Sequence, residues 1–260
     1  MKILADIGGS GARFAALQDG VISQPVTCGD IADTDRLISV LRETAGGGEV
    51  GGIALSVPGY VNSERGFVRR SANASYLEGD LRGRLQQAFP RAQVHVVNDG
   101  EAHARALLLQ EGVQLGAVNL ALGTSVAFGA LDVHGNAVRA LNGENWDIGD
   151  MLLDTRAARR EVWWALGQGG LASLEEEYRS SGGDSPYRRY GWRLGTFLTT
   201  VSAIFRPRTV GLSGGILRGH ADEIGAALRD TYTPPASMEA PRIILMRSAR
   251  SVMEGLSTLL

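Results

Sequence analysis

Cysteine is almost missing from this chain: Cys28 is the only one in 260 residues. Intramolecular disulfides, cysteine-rich zinc sites and iron–sulfur clusters held within one chain are thereby excluded. Lysine is equally scarce, because all but Lys2 of the 26 basic residues are arginine. The arginines are scattered rather than clustered, so they describe a GC-rich genome better than an arginine code for a partner. A strong charge of either sign is lacking, and the net charge of −2 gives no reason to expect nucleic acid or an anionic membrane. No apolar run approaches the roughly 20 residues a membrane-spanning helix needs. The opening Met1-Lys2-Ile3-Leu4-Ala5-Asp6 meets a charge too early for a signal peptide, so a cytoplasmic protein is expected.

What the chain does have is glycine, 35 residues of it, placed at turns between short apolar segments. The most telling stretch is Asp6-Ile7-Gly8-Gly9-Ser10-Gly11-Ala12-Arg13, between the apolar runs Ile3–Ala5 and Phe14–Leu17. It reads as strand, glycine-rich turn, strand. Without Cβ atoms, Gly8, Gly9 and Gly11 let backbone N–H groups come close to an anion. Asp6, ending the first strand, can hold a hydrated Mg²⁺. Together these point to a nucleotide enzyme; a tight β-turn that happens to be glycine-rich is the plainer alternative.

Periodicity then predicts a third strand over Val21–Thr27 and a helix capped by Asp33 that runs to about Thr44. Further strands are expected over Ile53–Val57 and Val94–Val97, with a helix ending at Pro90 between them. The second half repeats the plan. Strands are expected over Val118–Leu122, Val126–Leu131 and Ala137–Leu141. Helices are expected over Asp150–Leu166, Ala172–Ser180 and Arg188–Ile204. Strands at Val210–Leu212 and Ile243–Met246 alternate with helices to the end. Gly8-Gly9-Ser10 and Phe14–Leu17 are echoed by Gly123-Thr124-Ser125 and Phe128–Leu131. Two βββαβαβα copies would set two glycine hairpins face to face across a cleft, the kind of place ligands prefer. The expected lobes are 1–106 and 107–260, with the final helix able to pack back on the first.

Three further junctions carry chemistry. Asn98-Asp99 follows a strand and opens a helix, where Asp99 can accept the proton of an alcohol attacking phosphorus, or the pair can simply cap the helix. Thr124 and Ser125 offer hydroxyls beside backbone N–H groups, suited to phosphate oxygens or to an ordinary polar turn. Ser213-Gly214-Gly215 leaves a flat backbone surface for adenine and ribose, or for a crowded helix–sheet contact.

In this order the motifs resemble those of the actin-like sugar kinases and ATPases, and most closely the ROK sugar kinases and related bacterial glucokinases. The resemblance spans nearly the whole chain. It implies two ribonuclease-H-like α/β domains, ATP and Mg²⁺, a small-molecule sugar substrate and a homodimer. By resemblance, Gly8–Gly11 with Arg13 forms the first phosphate motif, Gly123-Thr124-Ser125 the second, and Gly214-Gly215 the adenosine motif. Asp6 then anchors the metal and Asp99 is the catalytic base. Asn98 holds a sugar hydroxyl, and Val57–Asn62 and Asn73 lie beside the sugar. Asp147-Ile148-Gly149-Asp150 aligns with a family Glu-Ile-Gly-His segment, and Glu175 with a sugar-contacting Glu. An acidic helix start competes for Asp147 and Asp150, and a solvated helix face competes for Glu175. The family's zinc cysteines are absent and its second phosphate loop is richer in glycine. A non-catalytic sugar or nucleotide sensor, a kinase for a non-sugar acceptor such as pantothenate, an iron–sulfur activator ATPase and an actin-like filament protein are the other readings.

Overall fold

The computed structural model describes residues 1–8, 11–29, 31–154 and 159–260. They form two units. Met1–Gln110, Ala137–Trp146 and Arg250–Leu260 make the first, and Glu111–Asn136 with Asp147–Ala249 the second.

In the first unit, β1 (Lys2–Gly8) is buried from Ile3 to Asp6 and on to Ile7, and it sits at the centre of its sheet. It pairs antiparallel with β2 (Gly11–Gln18), in a register that sets Asp6 opposite Arg13 and Gly8 opposite Gly11. The expected third strand is broken. Val21–Ile22 (β3) and Val26–Cys28 (β4) each pair with β2, and Ser23 N still donates to the Ala16 carbonyl, but the ladder lapses at Gln24-Pro25, where Pro25 has no N–H to give. Helix α1 (Thr34–Thr44) forms where expected, and the Asp33 carboxylate accepts from Arg36 N at 2.7 Å. Strand β5 (Gly52–Val57) runs parallel to β1. A small sheet of β6 (Tyr60–Asn62), β7 (Phe67–Arg70) and β8 (Gly79–Asp80) follows, then α2 (Leu81–Ala88). Strand β9 (Gln93–Asn98) completes the main sheet parallel to β5, and α3 (Asp99–Arg105) starts at once from its carboxyl end.

The alternation of β1 and β5 divides the core in two. Ile3, Ile53 and Leu55 meet Leu37, Leu41, Leu81 and Leu85 on one face. Leu4, Ala54 and Val97 meet Val252, Met253 and Leu256 of the C-terminal helix Ser251–Ser257 on the other. Each of these large buried side chains contributes about 1.5–3 kcal/mol. The C-terminal helix therefore shields the sheet and packs on α3, with Gly255 against the Ala102 carbonyl.

In the second unit, β10 (Ala117–Leu122) and β11 (Val126–Leu131) make an antiparallel hairpin. The strand expected over Ala137–Leu141 does not form. That segment lies with the first unit, where Arg139 reaches Glu64 at 3.1 Å and Glu101 at 3.6 Å and Leu141 is fully exposed. Beyond an isolated bridge at Ala137, this mostly apolar segment joins no sheet. The helix expected over Asp150–Leu166 is also corrected. Leu152–Asp154 (β12) and Arg159–Glu161 (β13) form a ladder of their own, and among the described residues of that span only Val162–Ala165 (α4) is helical. Next come α5 (Gln168–Ser181), α6 (Pro186–Phe205), β14 (Thr209–Ser213), α7 (Ala221–Thr231) and β15 (Arg242–Leu245), the last followed by the C-terminal helix, α8. The sheet order is β11-β10-β14-β15, with β14 parallel to both neighbours. Helices α6 and α7 cross closely because Gly191 and Gly195, one turn apart, present bare backbone. A Cβ on Gly191 would sit 2.5 Å from the Ile224 carbonyl oxygen. Among the described residues no helix is long and apolar enough to cross a membrane.

Candidate active site

Three adjacent strands of the first unit bring three polar side chains into line. Asp6 on β1 is in register with Arg13 on β2 and with Ser56 on β5. The Arg13 guanidinium donates from Nε to Asp6 Oδ2 at 3.1 Å and a second time from Nη2 to the same oxygen. Ser56, wholly buried, donates its hydroxyl to Asp6 Oδ1 at 3.0 Å. Asp6, expected to anchor the metal, is thus buried and held by donors from Arg13 and Ser56. Gly8 and Gly11 close the hairpin beside it, and Gly11 has φ +137, a backbone conformation that favours glycine. Gly9 and Ser10 lie outside the described residues.

Asp99 opens α3 and is half-buried. Gly100 N donates both to Asp99 Oδ1 at 3.0 Å and to Asn98 Oδ1 at 2.8 Å. Burial first, and the negative charge of Asp6 second, push the Asp99 carboxyl up to about 6. One turn along α3, His103 feels the same group. Burial pushes its imidazole down to about 4, the Asp6 charge opposing and the Arg13 charge adding to the effect. His103 is therefore neutral at pH 7, and its Nδ1 lies 3.0 Å from the Ser251 hydroxyl of α8. Asp6, Arg13, Asp99 and His103 form one electrostatic group where β1 and β9 end. Sequence reasoning did not single out His103; its i+4 spacing from Asp99 was the available signal.

Asn98 is spent largely on the protein. Its amide nitrogen donates to the Gly59 carbonyl at 2.9 Å and weakly to Val57 at 3.5 Å, while its oxygen caps α3. Gly59, with φ +104, in turn packs on β7, where a Cβ would meet Ser71 Cα at 3.0 Å. Asn73, two residues past Ser71, is exposed. Glu101, also missed, is a buried acid held by Ser63 Oγ at 2.8 Å and Arg105 Nε at 3.0 Å.

In the second unit, the Gly123-Thr124-Ser125 turn joins β10 to β11, and Thr124 and Ser125 are exposed. The turn rests on the start of α5. Gln168 N donates to the Gly123 carbonyl at 2.9 Å, and a Cβ on Gly167 would come within 2.7 Å of the Thr124 carbonyl oxygen. That helix start carries no side-chain cap and no acidic residue in its first turn, so its positive end is not neutralised locally. Phe128 points into the core against Phe205, ring centres 4.8 Å apart, away from the turn. Gly214, at φ +101, packs on the Leu122 backbone, with 2.6 Å from a would-be Cβ to Leu122 N. Gly215 is open apart from the Arg218 guanidinium. Asp147 and Asp150 are exposed, and Asp147 accepts from Gly149 N at 2.9 Å. Glu175 accepts from Tyr187 OH at 3.1 Å, and the Tyr187 ring stacks on His220.

Among the described residues no group of three or more His, Cys, Asp or Glu side chains is placed to hold a metal. Mg²⁺ does not require one, since it takes one or two carboxylates and completes its shell with water and substrate phosphate. Asp6, with Asp99 near enough to be perturbed by it, fits that donor set once Arg13 releases Oδ2.

No protein-family profile matches this chain, and no curated protein does. Many solved structures do. A sugar-kinase structure from Cytophaga hutchinsonii aligns with a TM-score of 0.84 at 18% identity, covering 100% of this chain and 99% of that one. A ROK family glucokinase from Streptomyces griseus, in complex with glucose and AMPPNP, aligns at 0.80 and 16% identity, covering 99% and 98%. A ROK family transcriptional regulator, homologous to the E. coli MLC protein, aligns at 0.76 and 17% identity, covering 98% of this chain and 76% of its own. This chain has the α/β fold of the ROK sugar kinases.

Proposed function

We propose that this protein is an ATP-dependent, glucokinase-like sugar kinase that transfers the γ-phosphoryl group to a hydroxyl of a hexose or amino-sugar. The observation that carries the reading is Asp99, a half-buried carboxylate at the head of α3 raised to about 6 beside Asp6. At pH 7 it is roughly nine-tenths ionised, yet basic enough to take a proton from an attacking alcohol.

Asp99 orients the acceptor hydroxyl and receives its proton as the oxygen attacks phosphorus. The Gly8–Gly11 and Gly123–Ser125 hairpins bind phosphate oxygens through backbone N–H groups and the Thr124 and Ser125 hydroxyls. Gly215 lies flat against adenosine, and Gly214 acts through packing. Asp6 would hold Mg²⁺, which would supply neutralisation of the phosphate charge. Asn73, Asp147, Asp150 and Glu175 read the sugar. Asn98 chiefly fixes the Pro58-Gly59 turn, with its weakly held second amide N–H available to a sugar hydroxyl. Positioning and charge neutralisation supply most of the rate in such transfers.

A coupled ADP-release assay with Mg·ATP and a panel of hexoses, N-acetylhexosamines and pantothenate tests this. Sugar-dependent ADP release is expected, whereas release with pantothenate alone would move the acceptor to another class. A second reading, a sugar or nucleotide sensor, is favoured by the fold likeness to the regulator and by the occupied state of Asp6. It predicts sugar binding without ADP.

A further inference from the structure

Asp6 carries more protein donors than a waiting metal ligand needs. Its Oδ2 takes two N–H groups from Arg13 and its Oδ1 takes the Ser56 hydroxyl, all set by strand register rather than by flexible reach. The Arg13 side chain is 41% exposed against 10% for Asp6, so the guanidinium side of the pair faces solvent while the carboxylate is enclosed.

We propose that Arg13 is the resident counter-ion of Asp6, and that it makes divalent-cation binding conditional on phosphate. The inference rests on Asp6 being the metal-holding carboxylate. A free cation must break two charge-assisted hydrogen bonds and then sit beside the guanidinium it displaced. A cation arriving with a polyphosphate brings new acceptors for Arg13, whose planar fork matches phosphate as well as carboxylate. The ion and the nucleotide then enter together, and the free protein is protected from idle metal.

Mn²⁺ binding to the whole chain, without sugar or nucleotide, tests this by the electron paramagnetic resonance signal of the free ion. Wild type binds Mn²⁺ weakly, and Arg13→Gln binds it about tenfold more tightly or better, because the competing cation and its repulsion are gone. Adding inorganic triphosphate raises Mn²⁺ affinity more in wild type than in Arg13→Gln. The gain of Arg13→Gln disappears when Asp6→Asn is added. Should Arg13→Gln fold poorly, Arg13→Lys, a point charge without the fork, gives an intermediate affinity. Equal Mn²⁺ affinity in wild type and both Arg13 variants overturns the inference, and so does a gain that survives Asp6→Asn. Because the assay contains no acceptor and needs no turnover, its failure is separate from failure of the kinase reading.

Discussion

Replacing the proposed base should make the protein more stable while disabling it. An ordinary aspartate titrates near 3.8, and burial beside Asp6 lifts Asp99 to about 6. The folded state therefore holds its proton more tightly than the unfolded state, and stability falls as pH rises from about 4 to about 6. The gap of roughly two pH units, at about 1.4 kcal/mol each, puts the destabilisation near 3 kcal/mol above pH 6. Asp99→Asn removes that charge and keeps an oxygen that can accept from Gly100. It forfeits the favourable meeting of an anion with the start of α3, about 0.5 kcal/mol. A net gain of about 2 kcal/mol is expected at pH 7, shrinking below about 1 kcal/mol at pH 4, where the folded wild type is protonated. Urea unfolding of the two proteins at both pH values measures this. An Asn variant no more stable than wild type at pH 7, or a difference that ignores pH, would refute the electrostatic reasoning.

Other expectations follow from the same geometry. Sugar-dependent kcat/KM should rise with pH through about 6, because the free enzyme must ionise Asp99 first; a rate flat from pH 5 to 8 would separate Asp99 from the chemistry. Gly167→Ala should raise the KM for ATP several-fold and also cost about 1–3 kcal/mol in urea, since the new Cβ pushes on the Thr124 carbonyl and on the Trp163 backbone oxygen, and unchanged nucleotide kinetics would detach that turn from phosphate binding. Gly195→Ala should cost about 1–3 kcal/mol in urea, because its Cβ would press on the Leu228 carbonyl and lie 3.0 Å from Tyr232 N.

The parts of this molecule written in local code were readable from the chain. The Asp6–Arg13 hairpin announces itself by an apolar run, glycines and a second apolar run. Asp33 caps α1 through a contact only three residues long. The failures share the opposite property. Ala137–Leu141 is short and mostly apolar, as a strand would be, but whether a sheet edge exists for it is a tertiary fact, and the segment instead serves Glu64 and Glu101 through Arg139. The stretch after Asp150 has helical composition, yet cross-strand pairing of Leu152 with Glu161 wins over it. Within the candidate site, the place of Asp99 between a strand and a helix was visible. The saturation of Asp6 was not, because Ser56 comes from fifty residues away. His103 was hidden for the same reason, since Ser251 approaches it from the far end of the chain.

The central claim is that Asp99 deprotonates a sugar hydroxyl as it attacks ATP. Phosphorus-31 NMR of wild type and Asp99→Asn, each with Mg·ATP and the sugar panel, examines it directly. A sugar-phosphate resonance growing with ADP is expected in wild type, with its near-absence in an Asn variant that still binds ATP. A sugar phosphate formed at equal rates by both proteins, or ADP appearing in wild type without any sugar phosphate, would contradict it.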